Sequence, residues 1–147
     1  SLGNARQIVA VLDDATGLAV ASALKAKSET GKAVQAWINQ LELQAGARVK
    51  RVRFDGAGEL VSADMQEFYS RRGIRLELTA AHTPQQNGKS ERLKRTLMER
   101  VRSILAEAEL LEELWAESLT AVVYTRSRGP KSDGRATPFK LFHDKRP

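Results

Sequence analysis

Residues 83–92 read Thr-Pro-Gln-Gln-Asn-Gly-Lys-Ser-Glu-Arg, and residues 54–59 read Phe-Asp-Gly-Ala-Gly-Glu. Asp55 and Glu91, with thirty-five residues between them, each stand where one element gives way to another. Before Asp55, Val49, Val52 and Phe54 lie among Arg48, Lys50, Arg51 and Arg53, which predicts a β-strand over 48–54 with Asp55 opening the loop at its C-terminal end. After Lys89, Leu93, Leu97, Val101, Ile104, Leu105 and Ala108 form one apolar stripe, so a helix over 89–108 carries Glu91 in its first turns. A strand-end acid and a helix-start acid can meet at the edge of a sheet, and two carboxylates held close repel unless a cation lies between them. Paired acids of this kind serve two-metal phosphoryl transfer, in which the ions sit about 3.5 to 4 Å apart. Each acid alone also has an ordinary reading: Asp55 as a turn residue before Gly56, Glu91 as an acid favoured by the helix dipole. The flanking residues, rather than the spacing, give the pair its weight.

Toward the N-terminus, residues 7–12 and 18–24 are short apolar runs around Asp13-Asp14-Ala15-Thr16-Gly17, which predicts a β-hairpin. Asp13 and Asp14 invite assignment as a further catalytic acid. Against this, adjacent acids in a hairpin turn are turn formers, and alternation lets only one of them face a site. Val34, Trp37, Ile38 and Leu41 predict a helix from a Ser28 cap to about Ala45, with Gly46 as its left-handed stop. Ser62 and Gly73 bracket a shorter helix with Met65, Phe68 and Tyr69 inward, and Ile74, Leu76 and Leu78 alternate as a half-buried strand. Residues 79–88, with Pro84 and the Asn87-Gly88 pair, read as a loop. A last helix over about 111–126 buries Leu111, Leu114, Trp115, Leu119, Val122 and Val123, with Glu112 and Glu113 at the positive end of its dipole. The final twenty residues read as loop. The order describes an α/β layer with a mixed sheet, a core domain over 1–127 and a C-terminal extension over 128–147.

At 147 residues and 41% hydrophobic content the chain is sized for one domain, and no apolar run approaches the length of about eighteen residues that suggests a membrane span. No membrane partner is expected. Zero cysteines exclude a disulfide framework and thiolate-bound zinc, and two isolated histidines, His82 and His143, cannot build a His-rich cage. A hard cation on carboxylates is compatible with this composition. Twenty-four Lys and Arg against eighteen Asp and Glu give a net charge of +6 and a pI near 9.9, values typical of domains that bind phosphate backbones. The charge is clustered, because residues 89–102 hold Lys89, Arg92, Lys94, Arg95, Arg100 and Arg102 against Glu91 and Glu99 alone. An evenly basic surface would serve solubility; a basic helix face beside an acid pair suits a polyanionic substrate. His82, Gln86 and Asn87, with Thr83 and Gln85, add donors and acceptors on a loop that pivots at Gly88, suited to contacting a nucleic-acid end. Gly56, Ala57 and Gly58 leave little bulk beside Asp55, so a phosphate backbone could approach closely there. Glu59 reads as a solvated helix-start acid.

Leu12-Asp13-Asp14, the stretch from Phe54 to Leu60 and the stretch from Thr83 to Arg92 together resemble the catalytic core of retroviral and retrotransposon integrases, especially the copia (Pseudoviridae) type. The resemblance covers nearly the whole chain, including Thr137-Pro138-Phe139 and Lys145-Arg146-Pro147. It implies a ribonuclease H-like fold, a mixed β-sheet flanked by α-helices, magnesium or manganese as cofactor, and an acid triad whose last two members match Asp55 and Glu91. The family's first acid lies upstream of the pair that Asp13 and Asp14 resemble, in a His-x-Asp segment followed by Gly-Pro. The expectation is therefore a fragment of a Pol polyprotein that lacks the first strand and the first acid. Gly56 and Ala57 stand where the copia pattern has Asn and Gly, and Lys140 where it has an acid.

What the resemblance implies is DNA integration: 3′-end processing and strand transfer in the parent protein, with Asp55 and Glu91 holding metal and Arg92, Lys94 and Arg95 positioning DNA. The fragment alone is expected to be inactive. A homo-oligomer is implied, as is a nuclear location reached from a cytoplasmic particle. The alternative is a non-enzymatic nucleic-acid-binding domain that keeps the fold without turnover; a structure-specific or ribonuclease H-type nuclease would share the fold and metals, but the motif at 83–92 does not support that reading.

Overall fold

The computed structural model describes residues 3–54, 58–78, 84–130, 134 and 136–143, and of residues 84–87 the backbone alone. In chain order the elements are the strands Gln7–Leu12 (β1) and Ala19–Leu24 (β2), the helix Thr30–Ala45 (α1), the strand Arg51–Phe54 (β3), the helix Ala63–Arg72 (α2) and the strand Arg75–Leu78 (β4). Three helices follow, Pro84–Glu107 (α3), Trp115–Arg128 (α4) and the short Pro138–His143 (α5).

Successive side chains of a strand point to opposite faces, and β1 is apolar on both. Ile8, Ala10 and Leu12 pack against Leu93, Leu97 and Val101 of α3 and Leu119 and Val122 of α4. Val9 and Val11 pack on the other side against Val34 and Ile38 of α1 and Met65 and Tyr69 of α2. β1 thus lies between two helical layers. Its partner β2 runs antiparallel, with Gln7 opposite Leu24 and Leu12 opposite Ala19.

β3 and β4 pair in parallel, Arg51 opposite Arg75 and Phe54 opposite Leu78, and α2 supplies the crossover that parallel strands require. Val52, Phe54 and Leu76 pack into the layer of α1 and α2. On the opposite face Glu77 accepts from Arg53 at 2.9 Å and pairs with Arg51 at 3.1 Å. The hydrogen bonds from Arg53, with the added charge of Arg51, hold the Glu77 carboxyl below its ordinary range. The mixed antiparallel and parallel character expected of the sheet is present, and among the described residues it is divided between two two-stranded ladders. No helix among those residues is long and apolar enough to cross a membrane.

Several local expectations change. Ser28 does not cap α1 but lies in a 3-10 turn, Lys27–Glu29, whose Glu29 carboxylate accepts from the backbone N–H of Lys25 at 2.8 Å. Ser62 stands at the N-cap of α2 without a side-chain cap bond, its hydroxyl donating instead to the Glu59 carbonyl at 3.1 Å. Gly46 and Gly73 do take the left-handed conformation, at φ 63° and 65°. β3 starts three residues later than predicted, since the Val49 N–H is taken by the Glu42 carboxylate at 2.9 Å before the ladder begins. Leu78 and Leu111, expected inside, are 57% and 69% exposed. The last twenty residues are not all loop: Thr137 accepts from the Lys140 N–H at 3.1 Å and Pro138 fills the first helical position, a cap-plus-proline start that yields α5. Arg128 of α4 lies 3.8 Å from the Tyr124 ring centre and 4.2 Å from that of Phe139, so α5 is fastened to α4 through a stacked guanidinium.

Tyr69 is the polar exception in the layer of α1 and α2. Its ring meets Phe68 edge-on at 5.8 Å and Phe54 at 6.5 Å, while its buried hydroxyl has no hydrogen-bond partner among the described residues. Burial pushes its pKa up to about 12. Since an unpaired buried hydroxyl costs about 1 to 3 kcal/mol of desolvation, Tyr69→Phe is expected to raise stability by up to about 1 kcal/mol in urea unfolding. A loss of similar size would show that the hydroxyl is satisfied.

Candidate nucleic-acid interface and acid site

The central element is α3, and it starts earlier than predicted. Its first residue is Pro84, whose missing N–H costs nothing at the first helical position. Residues 84–88, read from sequence as a loop with an Asn-Gly turn, are helical, so Gly88 is not a pivot. An added Cβ at Gly88 would come 4.0 Å from an Arg92 guanidinium nitrogen, so the glycine leaves open the space beside that cation. Gln86 and Asn87 belong to the first turn of the helix by backbone. Asp55, His82 and the side chains of Gln86 and Asn87 lie outside the described residues.

The earlier start changes the reading of Glu91. It stands seven residues after Pro84, and the first turn of α3 holds no acid. Dipole stabilisation fades within the first turn, so that ordinary explanation of Glu91 no longer applies. Its side chain is 61% exposed, with Oε1 at 3.6 Å from the Lys94 ammonium. On the same helix Arg95 and Glu99 approach to 4.0 Å. Arg92 has no ion pair or hydrogen bond among the described residues. Exposed pairs of this kind are worth roughly 0 to 1 kcal/mol, so incoming ligands exchange with them easily. A carboxylate of this type suits a hard divalent cation. Among the described residues no three His, Asp or Glu side chains cluster closely enough to hold one.

The two hairpin acids have structural duties. Asp13 Oδ2 accepts from the Thr16 N–H at 3.0 Å and from its hydroxyl at 2.5 Å, and the Gly17 N–H donates to the Asp13 carbonyl at 2.8 Å. Gly17 completes the turn at φ 78°. Asp14 pairs with Lys89 at 2.8 Å, tying the hairpin to α3 across the layer. Neither partner was apparent from sequence, because seventy-five positions separate Lys89 from Asp14. Sequence reasoning also passed over Arg126, a half-buried arginine on α4 that donates to the Gly17 carbonyl at 3.0 Å. Its only signal is a basic residue soon after the apolar Val122 and Val123.

No family model matches the chain. It is 36% identical over 130 residues to the retrovirus-related Pol polyprotein from transposon TNT 1-94 of Nicotiana tabacum, a match covering 88% of this chain and 10% of that protein. It is 30% identical over 127 residues to the Pol polyprotein from transposon RE1 of Arabidopsis thaliana, covering 86% of this chain and 8% of that protein. The chain therefore spans about a tenth of the length of the curated relatives it matches. Among solved structures it resembles a chain of a simian T-cell lymphotropic virus intasome in complex with PP2A regulatory subunit B56 gamma, with a TM-score of 0.77 at 18% identity over 95% of this chain and 49% of that one. It also resembles the HTLV-2 integrase catalytic core domain in complex with magnesium, with a TM-score of 0.71 at 17% identity over 92% of this chain and 84% of that one. These structural likenesses carry the fold, which is the ribonuclease H-like fold of integrase cores.

Asp13 gives a direct test of the division between turn acid and site acid. Asp13→Ala is expected to cost about 1 kcal/mol in thermal or urea unfolding through loss of the turn bonds, and Asp13→Asn less, with divalent-metal binding unchanged in both. Loss of metal binding in Asp13→Asn would move Asp13 into the acid site.

Proposed function

We propose that this chain, which belongs to the integrase catalytic-core family of retrotransposon Pol polyproteins, works in DNA integration by metal-dependent polynucleotidyl transfer. The observation that carries the proposal is Glu91, an exposed acid beyond reach of the helix dipole, on a helix flank it shares with Lys94 and Arg95. Asp55, immediately after the last residue of β3, is its partner by motif.

Asp55 and Glu91 would hold magnesium or manganese, and the HTLV-2 core to which this fold is similar is described in complex with magnesium. Bound there, such a cation supplies an activated attacking oxygen and stabilisation of the leaving oxygen. The chain's own residues do the rest. Arg92, Lys94 and Arg95, with Lys89, neutralise backbone phosphates and fix the register of the DNA along α3. The Lys94 ammonium, only weakly paired with Glu91 at 3.6 Å, would be available to a phosphate if Glu91 held a cation. His82, Gln86 and Asn87 precede this face in sequence and are assigned to the DNA end. No protein general base is needed. The HTLV-2 core is described in dimeric and trimeric forms, and we assign a homo-oligomeric state here as well. A nuclear site of action, reached from a cytoplasmic particle, belongs to the same proposal.

Only two acids of the triad match by motif in this sequence, so the isolated chain is expected to bind DNA without strand transfer. Fluorescence anisotropy on labelled duplex ends should give a logarithmic salt slope that falls by about 2 in the Arg92→Ala, Arg95→Ala double variant. Added Mg2+ or Mn2+ should tighten binding in the unaltered chain and not in Glu91→Gln. Metal-independent binding that Glu91→Gln leaves intact would instead identify a nucleic-acid-binding domain that keeps the fold without the chemistry. Robust strand transfer abolished by Glu91→Gln would overturn the expected inactivity.

A further inference from the structure

Between α3 and α4, beneath the end of β1, lies a solvent-open cavity of about 230 Å³ lined by Leu12, Lys89, Arg92, Leu93, Thr96 and Arg126. Its composition follows from helix geometry: Lys89, Arg92, Leu93 and Thr96 fall at spacings that share one side of α3, whereas Glu91, two residues past Lys89, points about 200° around the axis. The cavity is therefore separate from the flank that carries Glu91. Leu12 and Leu93 give it an apolar floor, and cationic groups reach it from both helices.

Arg126 is the informative member. A half-buried guanidinium ordinarily meets a carboxylate, because desolvating a charge without a partner is costly. Here no acid pairs with it among the described residues, and its hydrogen bond runs to the backbone carbonyl of Gly17 at 3.0 Å. Burial, and then the like charge of Arg100 close by, push its pKa below the usual arginine value. Arg92, on the opposite wall, also lacks a counter-ion among the described residues. Lys89 is the one cation of the cavity with an acid at hand among the described residues, the Asp14 carboxylate at 2.8 Å. Positive charge is gathered over an apolar floor, with Arg126 half-buried and Lys89 and Arg92 reaching solvent, and among the described residues most of it has no acid partner. At about 30 Å³ per water, the space admits a phosphate group and its first waters.

We propose that this cavity is a phosphate-binding site for the DNA backbone, with Arg126 donating from α4, Arg92 and Lys89 from α3, and the Thr96 hydroxyl as a further donor. It extends the proposed function by anchoring a phosphate off the acid site, and it rests on the reading that the chain binds DNA. An anchor on a different flank of α3 from Glu91 constrains rotation of a duplex about the helix, which contacts along a single row cannot do.

Two measurements test it. In the first, inorganic phosphate is titrated into the unaltered chain while the Arg126 and Arg92 Nε–H and the Thr96 amide signals are followed by NMR. Saturable shifts confined to these groups are expected; shifts absent up to tens of millimolar, or spread evenly over all surface arginines, overturn the site. In the second, duplex-DNA binding of Arg126→Gln is compared with that of Arg71→Gln on α2. Arg126→Gln is expected to lower the logarithmic salt slope by about 1 and Arg71→Gln to leave it unchanged. A folded Arg126→Gln variant with an unaltered slope also overturns the site. If the unaltered chain fails to bind DNA, the functional reading falls while the phosphate titration still decides the cavity. If Arg126→Gln does not fold, the titration, which uses no variant, decides the site alone.

Discussion

The apolar contact between α3 and β1 governs both the fold and the site. Leu93, Leu97, Val101 and Leu105 recur at helical spacing and meet Ile8, Ala10 and Leu12, and Leu97 and Val101 are fully buried. At about 1.5 to 3 kcal/mol for each buried side chain of this size, the contact outweighs any single ion pair on the exposed face. Packing therefore fixes the rotation of α3 about its axis. Once that rotation is set, Glu91 and Arg95 must face outward on one flank, while Lys89, Arg92 and Thr96 turn toward the cavity against α4. The polar and charged residues of α3 are thus placed by the leucines and valines of its buried face.

β1 extends the same constraint to the far layer, because its Val9 and Val11 seal the core built on α1 and α2. That core carries β3, and the strand ends at Phe54, immediately before Asp55. The two candidate acids thus depend on elements attached to opposite sides of one strand. The hairpin after β1 adds a polar tie, since Asp14 grips Lys89 and the Gly17 carbonyl receives Arg126. One tight turn, held by Asp13 and Thr16, consequently helps position cations on both α3 and α4.

Much of this was legible in the sequence because it is periodic. The hairpin, α1, α2 and the body of α3 follow from apolar spacing and from glycines that take positive φ at the helix ends. What escaped depended on competing local rules or on distant partners. Pro84 and the Asn87-Gly88 pair look like breakers, yet proline is neutral at a helix start, and the strong amphipathic run that follows carries the helix back through Gly88. Thr137-Pro138 is the same kind of start, hidden in a polar tail. Leu111 has the spacing of a core residue but precedes the 3-10 turn Glu112–Leu114 and faces outward. For the site, the motifs singled out Glu91 and the basic face of α3, while Arg126 was hidden because nothing local links it to the hairpin turn. The helix start did sharpen one point, by removing the dipole as a reason for Glu91.

The central claim is that Asp55 and Glu91 act as one metal-binding unit. Its most direct test is Mn2+ binding measured by electron paramagnetic resonance or calorimetry on the unaltered chain, on Asp55→Asn, on Glu91→Gln and on the double variant. If the two acids share the ion, each single variant weakens binding about tenfold or more and the double variant is little worse than the poorer single, the non-additivity expected of coupled groups. Equal affinity in all four proteins, or effects that simply add, would contradict the account.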